Sequence, residues 1–357
     1  MRQRIKSIDG WRAVAALGVL YTHSWATMKF PTLKIAGIDI MRVLNLWGNG
    51  VQLFFVLSAF CFYLVLADDE KFTINRIFSF WGKRWLRIAP AFYFVCFILA
   101  FLKYESLQEL FYKLLINFSF LQNTFPFAEV DAIFWSLAVE WHFYLLLPII
   151  LHSITRLGIL KVTIGLVLIC FALNLLHYSG YLLSNDQWSY SIFNNIGHFS
   201  WGILAAYLYK HGISIRFFVN NYSLLLGLII SYLGKLSFSS GVTEAFPQFS
   251  LILESGGPML MSFGFAAIIY TTLFNRFSFQ LIGNRIFSSI GMISYSFYLW
   301  HSFILSIVFK FFCPWIPETA GGVFILMALT LIILLPISYV SFNLLESFYF
   351  KRRTISS

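Results

Sequence analysis

Charged residues are scarce in this chain of 357 residues. Asp, Glu, Lys and Arg make up 11% of it, whereas a soluble domain carries about a quarter. Hydrophobic residues reach 59% and aromatic residues 20%, which exceeds what one soluble core would hold. Because apolar runs of bilayer-spanning length recur along the chain, the composition predicts an all-α, polytopic membrane protein.

Cysteines are also few, and no long linker or internal repeat is visible. Cys61, Cys96, Cys170 and Cys313 are scattered in or beside apolar segments without metal-ligand spacing, so we expect no metal site. The basic, then apolar N-terminus lacks a small-residue cleavage site, which favours a retained first span over a signal peptide. A single transmembrane domain over residues 1–357 is predicted.

Hydropathy predicts about ten transmembrane helices and one shorter amphipathic helix at the surface, residues 107–121. The predicted spans are 9–29, 46–67, 86–104, 134–152, 158–178, 192–209, 222–240, 250–273, 289–312 and 322–345.

The net charge of +10 reflects membrane topology rather than nucleic-acid binding, because Lys and Arg lie in short loops between apolar runs. With a cytoplasmic N-terminus, 18 of the 25 basic residues fall on the inner side and 7 on the outer side. This asymmetry predicts that both termini are cytoplasmic and that the number of spans is even.

Two basic groups share the first span. Arg12 and His23 are eleven positions apart, which returns them to nearly the same helix face about 16 Å apart. Arg12 is expected near the inner headgroups and His23 in the outer half of the membrane. The alternative interpretation is that Arg12 snorkels to the headgroups and that His23 is buried and hydrogen-bonded without a catalytic role.

A pair of arginines lies at the start of the third predicted span. Arg84 and Arg87 are three positions apart on one helix face, an arrangement that suits a phosphate-bearing ligand. Ordinary positive-inside anchoring is the alternative. Glu346, at the inner end of the last span, is expected to form an ion pair with a nearby Arg.

The fourth predicted span carries a carboxylate at membrane depth. Ser136, Glu140 and Tyr144 follow at intervals of four and line one stripe of the helix. Glu140 falls at a depth similar to that of His23, where a carboxylate would orient an imidazole that acts as general base. A structural pair that only joins two helices is the alternative.

His301 lies at a similar depth in the ninth predicted span. Ionisable groups inside a membrane usually serve a function, so their convergence disfavours a mere scaffold. Residue chemistry alone leaves two interpretations open. The groups could form an active site supplied by a cytosolic anionic ligand, or they could form the proton relay of a transporter or flippase.

Six motifs in order resemble the acyltransferase-3 family of membrane-bound bacterial O-acyltransferases. They are IDGWRAVAALGVLYTHSW, GVQLFFVLSAFCFYL, KRWLRIAP, WSLAVEWHFYLLLP, SYSFYLWH and LLESFYF. The first holds the family's Arg and His as Arg12 and His23, and the third holds its Arg pair as Arg84 and Arg87.

The resemblance implies acyl transfer, usually of acetyl, from cytosolic acyl-CoA to a hydroxyl of an extracytoplasmic or lipid-linked glycan, such as lipopolysaccharide O-antigen. It also implies residence in the bacterial inner membrane, surrounded by lipid. Arg84 and Arg87, with Arg12, would hold the CoA phosphates, and His23 would act as general base oriented by Glu140. Ser136, Tyr144 and His301 are candidates for contacting the acceptor or the oxyanion; an acylated His23 is the alternative route.

Overall fold

The computed structural model describes residues 5–66, 73–125, 127–182, 185–220 and 222–349, and these fold almost entirely into helices. The prediction of an all-α architecture is therefore confirmed. The predicted cytoplasmic position of both termini concerns residues 1–4 and 350–357, which lie outside the described residues.

Sixteen α-helices and one short antiparallel hairpin are found in the described residues. The hairpin pairs β1 (Lys34–Ile35) with β2 (Ile38–Asp39). The helices are α1 (Lys6–Thr27), α2 (Ile40–Leu44), α3 (Gly50–Leu66), α4 (Ile74–Lys103), α5 (Leu107–Phe118), α6 (Trp135–Leu157), α7 (Ile159–Tyr178), α8 (Asn185–Ser189), α9 (Ile192–Lys210), α10 (Ser223–Ser237), α11 (Ser240–Ala245), α12 (Ser250–Phe274), α13 (Arg276–Ile282), α14 (Arg285–Met292), α15 (Ser294–Phe312) and α16 (Ala320–Ser341).

Seven helical segments of the described chain are long and apolar enough to cross a membrane. Each coincides with a predicted span, which is the architecture of an integral membrane protein. They are Ile40–Leu66, Ile74–Lys103, Ala132–Leu157, Ile159–Tyr178, Pro247–Phe274, Ser294–Trp315 and Ala320–Tyr349.

The other three predicted spans are helices that are shorter or more polar than a typical transmembrane helix. Helix α1 carries three charged side chains in its first two turns, α9 is rich in Asn, Ser and His, and α10 has only 15 residues. A helix needs about 20 apolar residues to cross the hydrocarbon core, so the total of ten spans stays a prediction.

Two predicted boundaries differ from the structure. Helix α4 begins at Ile74, twelve residues before the predicted start, so Arg84 and Arg87 lie inside a continuous helix. The predicted span 289–312 is divided at Ile293, whose backbone leaves the helical conformation between α14 and α15. Hydropathy marks only the apolar part of a helix, so it excludes the polar first turns of α4. It does not depend on backbone conformation, so it cannot reveal the break at Ile293.

Helix α5 confirms the predicted amphipathic segment. Ser106 caps its N-terminus by accepting a hydrogen bond from the Glu109 backbone amide. Leu107, Phe111 and Leu115 form an exposed apolar stripe at intervals of four, and the buried Leu110 and Ile116 lie on the opposite side. Such a stripe suits a helix lying against lipid.

The chain divides into two compact units. The first unit comprises Met1–Val51, Phe80–Trp135 and Arg285–Ser357, and in it α1 packs against α14, α15 and α16. The second unit comprises Gln52–Ser79 and Ser136–Asn284, and in it α12 packs against α7, α9 and α10. The single domain inferred from the sequence stays a prediction.

Small residues allow the closest helix contacts inside each unit. A Cβ atom on Gly234 of α10 would lie 2.3 Å from the Met261 nitrogen of α12, and one on Gly291 of α14 would lie 1.8 Å from the Asp9 carbonyl oxygen of α1. Only glycine permits these approaches, as is common between helices in membranes. The Gly291 contact holds the first turns of α1, where Arg12 lies.

We expect Gly291→Ala to destabilise the protein by about 1–3 kcal/mol, because the new methyl group would force α14 away from α1. Thermal unfolding of the detergent-solubilised protein measures the change. Gly165→Ala is the matched control, since a Cβ there meets nothing within 4 Å. Equal unfolding temperatures for the two variants would contradict the close approach.

Candidate active site

Arg87 is held by a buried carboxylate in the first unit. Its Nη1 lies 2.5 Å from Oε2 of Glu346, which is 1% exposed. Ser296 donates a hydrogen bond to the other oxygen of Glu346, and the guanidinium lies 5.2 Å from the centre of the Tyr295 ring. The predicted ion pair of Glu346 with an Arg is confirmed, and it fixes the guanidinium between α4, α15 and the end of α16.

A π-helical turn directly after α16 carries the Glu346 side chain that contacts Arg87. Residues Phe342–Glu346 form a π-helical turn, which changes the angular register relative to an α-helix. Glu346 is buried there, whereas Leu344, two positions earlier, is exposed. Sequence reasoning placed Glu346 at this helix end but gave no sign of the wider turn.

Arg84 and Arg12 occupy different environments. Arg84 is 9% exposed, and its guanidinium carbon lies 5.5 Å from the centre of the Phe80 ring. Arg12 is partly exposed and lies 3.5 Å from the buried carboxylate of Asp9, one turn earlier in α1. The role of all three arginines in binding acyl-CoA stays a prediction.

The structure brings together His23 and His301, which sequence analysis had singled out separately. The two rings lie 5.2 Å apart between centroids, His23 on α1 and His301 on α15. His301 is fully buried, and its Nδ1 lies 2.6 Å from the Tyr298 carbonyl oxygen. Because a carbonyl only accepts, that nitrogen is assigned the proton.

The remaining nitrogen of His301 is therefore a lone-pair acceptor. Its Nε2 is buried and has no hydrogen-bond partner within the part of the chain that the structure describes. His23 is half-buried, so the pair consists of one accessible imidazole and one enclosed imidazole. The accessible ring of such a pair can accept a proton as a general base.

Asp131 is a functional candidate that sequence reasoning missed. Its carboxylate caps the short helical turn Ala132–Phe134, accepts a hydrogen bond from Ser302 at 3.3 Å and lies 3.4 Å from Nζ of Lys103. It also interacts electrostatically with His23. An Asp before an apolar helix indicates a helix cap, and only the fold brings it within electrostatic range of His23.

Glu140, Ser136 and Tyr144 lie in the second unit. Glu140 accepts hydrogen bonds from the Ser58 hydroxyl at 2.7 Å and from the Tyr144 hydroxyl. The predicted stripe is thus confirmed for Glu140 and Tyr144, and Ser136 is buried one turn before Glu140. The predicted pairing of Glu140 with His23 would join the two units and stays a prediction.

Within the described residues, no group of three or more His, Cys, Asp or Glu side chains could hold a metal ion. Cys96, Cys170 and Cys313 are free thiols.

The ion pair of Arg87 can be compared with one at the surface. We expect Glu346→Gln to reduce the free energy of unfolding by about 3–5 kcal/mol, because a mostly buried guanidinium loses its counter-charge. Glu318→Gln is the matched control, since Lys29 and Glu318 are also 2.5 Å apart but are 73% and 61% exposed. That change should cost about 0–1 kcal/mol.

Thermal or denaturant unfolding in one detergent compares the two variants directly. An equal loss of unfolding free energy in Glu346→Gln and Glu318→Gln would contradict the prediction. It would show that the buried ion pair of Arg87 contributes no more to stability than the exposed pair.

Comparison with known proteins identifies relatives along most of the chain. The acyltransferase-3 family, described as an acyltransferase domain, matches residues 5–339. A Staphylococcus aureus (strain COL) protein named "Putative O-acetyltransferase" is 24% identical over 86% of this chain and 52% of its own length. No solved structure matches.

Two further relatives differ in source and coverage. An Acidianus two-tailed virus protein named "Putative acetyltransferase" is 24% identical over 81% of this chain and 80% of its own length. Peptidoglycan O-acetyltransferase OatA of Listeria monocytogenes is 29% identical over 46% of this chain and 28% of its own length. The chain spans about half the length of the staphylococcal relatives that it matches.

Proposed function

Because this chain belongs to the acyltransferase-3 family, we propose that it transfers an acetyl group from cytosolic acetyl-CoA to a hydroxyl of an extracytoplasmic or lipid-linked glycan. The acceptor would be a glycan of the bacterial cell envelope, such as lipopolysaccharide O-antigen or peptidoglycan. The protein would lie in the inner membrane, where it can reach a cytosolic donor and an external acceptor.

The observation that carries the proposal is the pairing of His23 with His301. Acyl transfer from a thioester to an alcohol requires a base for the hydroxyl proton, and imidazole is the most common choice. The half-buried His23 would take that proton as the alcohol oxygen attacks the thioester carbonyl. The C–O bond of the ester forms, the C–S bond breaks, and the same proton passes to the CoA thiolate.

The arginines support a donor site at the other end of α1. Arg12 and His23 are separated by about 16 Å along the helix, a distance that the extended pantetheine arm of CoA spans. Arg84 and Arg87 lie near the start of the part of α4 that belongs to the first unit. Each guanidinium group presents two parallel N–H donors, which suit the oxygens of the CoA phosphates. Glu346 would hold the Arg87 guanidinium in place for this contact.

The oxyanion of the tetrahedral intermediate needs a hydrogen-bond donor. Ser136 and Tyr144 are the proposed donors, because the Nδ1 proton of His301, the third candidate from the sequence, lies on the Tyr298 carbonyl oxygen. Glu140 is proposed to orient His23. Glu140 already accepts the Tyr144 hydroxyl proton in a hydrogen bond, so Tyr144 would have to exchange this partner to reach an oxyanion.

The proposal is tested by the acetyl-ester content of envelope glycans in cells with and without the gene, released by mild base and quantified by mass. We expect deletion to remove esters from one glycan and the wild-type gene to restore them. His23→Ala should reduce the restored amount at least about 100-fold, the usual contribution of a general base.

His152→Ala is the matched control, since His152 is an exposed imidazole at the far end of α6. Both variants should be inserted in the membrane at wild-type amounts. Full ester content with His23→Ala would remove this residue from the mechanism, and an unchanged glycan after gene deletion would refute the proposed reaction.

The donor site is tested by calorimetric titration of CoA into the purified protein. Glu346→Gln keeps Arg87 and removes only its carboxylate partner, whereas the Arg87→Gln/Glu346→Gln double variant removes both charges. We expect the double variant to bind CoA about 10- to 100-fold more weakly than Glu346→Gln, because a charge-assisted contact is lost.

Arg84→Ala should weaken CoA binding similarly, and Lys83→Ala is its control because Lys83 is an exposed cation one residue away. CoA affinities that do not depend on Arg84 or Arg87 would assign the pair to membrane topology alone.

A further inference from the structure

A polar cavity opens in the first unit. Its volume is about 500 Å³, and it is formed by the C-terminal end of α4, the segment before α6 and the second half of α15. The polar side chains that line it are Lys103, Glu129, Asp131, Ser302, Ser306 and Lys310. The positive-inside pattern assigns Lys103 and Lys310 to the extracytoplasmic side.

Asp131 connects this cavity with the histidines. Its carboxylate faces Lys103 and Ser302 in the cavity wall, and it interacts electrostatically with His23. Ser302 follows His301 directly in α15. A molecule bound in the cavity would therefore contact Asp131 and Ser302, the two wall residues that link it to His23 and His301.

The charges of the cavity indicate which ligand it suits. Two ammonium groups and two carboxylates balance, so the wall offers no net attraction for a polyanion such as CoA. Sugar hydroxyls donate and accept hydrogen bonds at once, and a wall that alternates carboxylates, ammonium groups and serine hydroxyls satisfies both roles. The volume falls in the usual range for a small-molecule site.

We propose that this cavity is the acceptor subsite, which binds a neutral sugar unit of the glycan and presents one hydroxyl to His23. This inference rests on the proposed acetyl transfer. In this arrangement the two substrates bind at different ends of the unit. The donor phosphates would contact the arginines at one end, and the sugar would contact the charged cavity wall at the other.

The test fills the cavity without touching the histidines. Ser306 is exposed in its wall and its hydroxyl bonds to the Ser302 carbonyl oxygen, four residues earlier. Ser306→Trp should lower the acetyl-ester content of envelope glycans by about tenfold or more, because the indole would occupy the sugar volume. The CoA affinity of the purified variant should stay within about twofold of wild type.

Ser179→Trp is the matched control, because Ser179 is also exposed and bonds to the carbonyl oxygen four residues earlier, but lies in the second unit. Lys310→Gln is a milder second variant at an exposed position, which avoids a misfolded Ser306→Trp protein. It should lower ester content severalfold with unchanged CoA affinity, which places its effect on the acceptor.

Wild-type ester content in cells with Lys310→Gln and Ser306→Trp would overturn the acceptor subsite and leave the acetyl transfer intact. Loss of CoA affinity in Lys310→Gln would also overturn it, since the cavity would then serve the donor. If deletion of the gene itself leaves ester content unchanged, the transfer reaction fails and the subsite fails with it.

Discussion

An ionisable side chain among apolar helices is stable only if other groups compensate for its lost hydration, and this constraint organises the first unit. Glu346 is almost fully buried and is held by Arg87 and Ser296. Asp131 is held by Ser302, Lys103 and a backbone amide. Each carboxylate thereby joins separate stretches of the chain, so these polar contacts determine how the helices of the unit meet.

The two carboxylates contact α15 near its start and near its middle. Glu346 contacts Ser296 near the start of this helix, and Asp131 contacts Ser302 two turns later. His301 lies between these contacts and next to His23 of α1. The helix is therefore fixed on both sides of the histidine pair, which leaves the imidazoles little freedom to change their separation. Such rigidity is what a positioned base requires.

Hydropathy and helical periodicity predicted much of this arrangement. Long apolar runs predicted the spanning helices, and the four-residue spacing predicted that Glu140 and Tyr144 share a stripe. The ion pair of Glu346 was predicted because a buried carboxylate near basic residues needs a counter-charge. These inferences succeed because they depend on neighbours along one helix or on a cost that burial imposes anywhere.

What the sequence could not reveal depends on contacts between distant segments. Asp131 has the local pattern of a helix cap, and its second role arises because α15 and α1 come close to it. Neither the π-helical turn Phe342–Glu346 nor the break at Ile293 contains a proline that would have indicated it. The partner of His23 was likewise hidden, because depth in a membrane does not specify which helices are adjacent.

The protonation of His301 limits the roles that it can take in the proposed reaction. Its Nδ1 proton is used on the Tyr298 carbonyl, so the neutral ring has no second N–H for an oxyanion. Its free Nε2 is a proton acceptor instead, and full burial prevents it from meeting the acceptor sugar directly. In the proposed reaction, His23 would therefore contact the hydroxyl, and His301 would be its enclosed neighbour, 5.2 Å away between ring centroids.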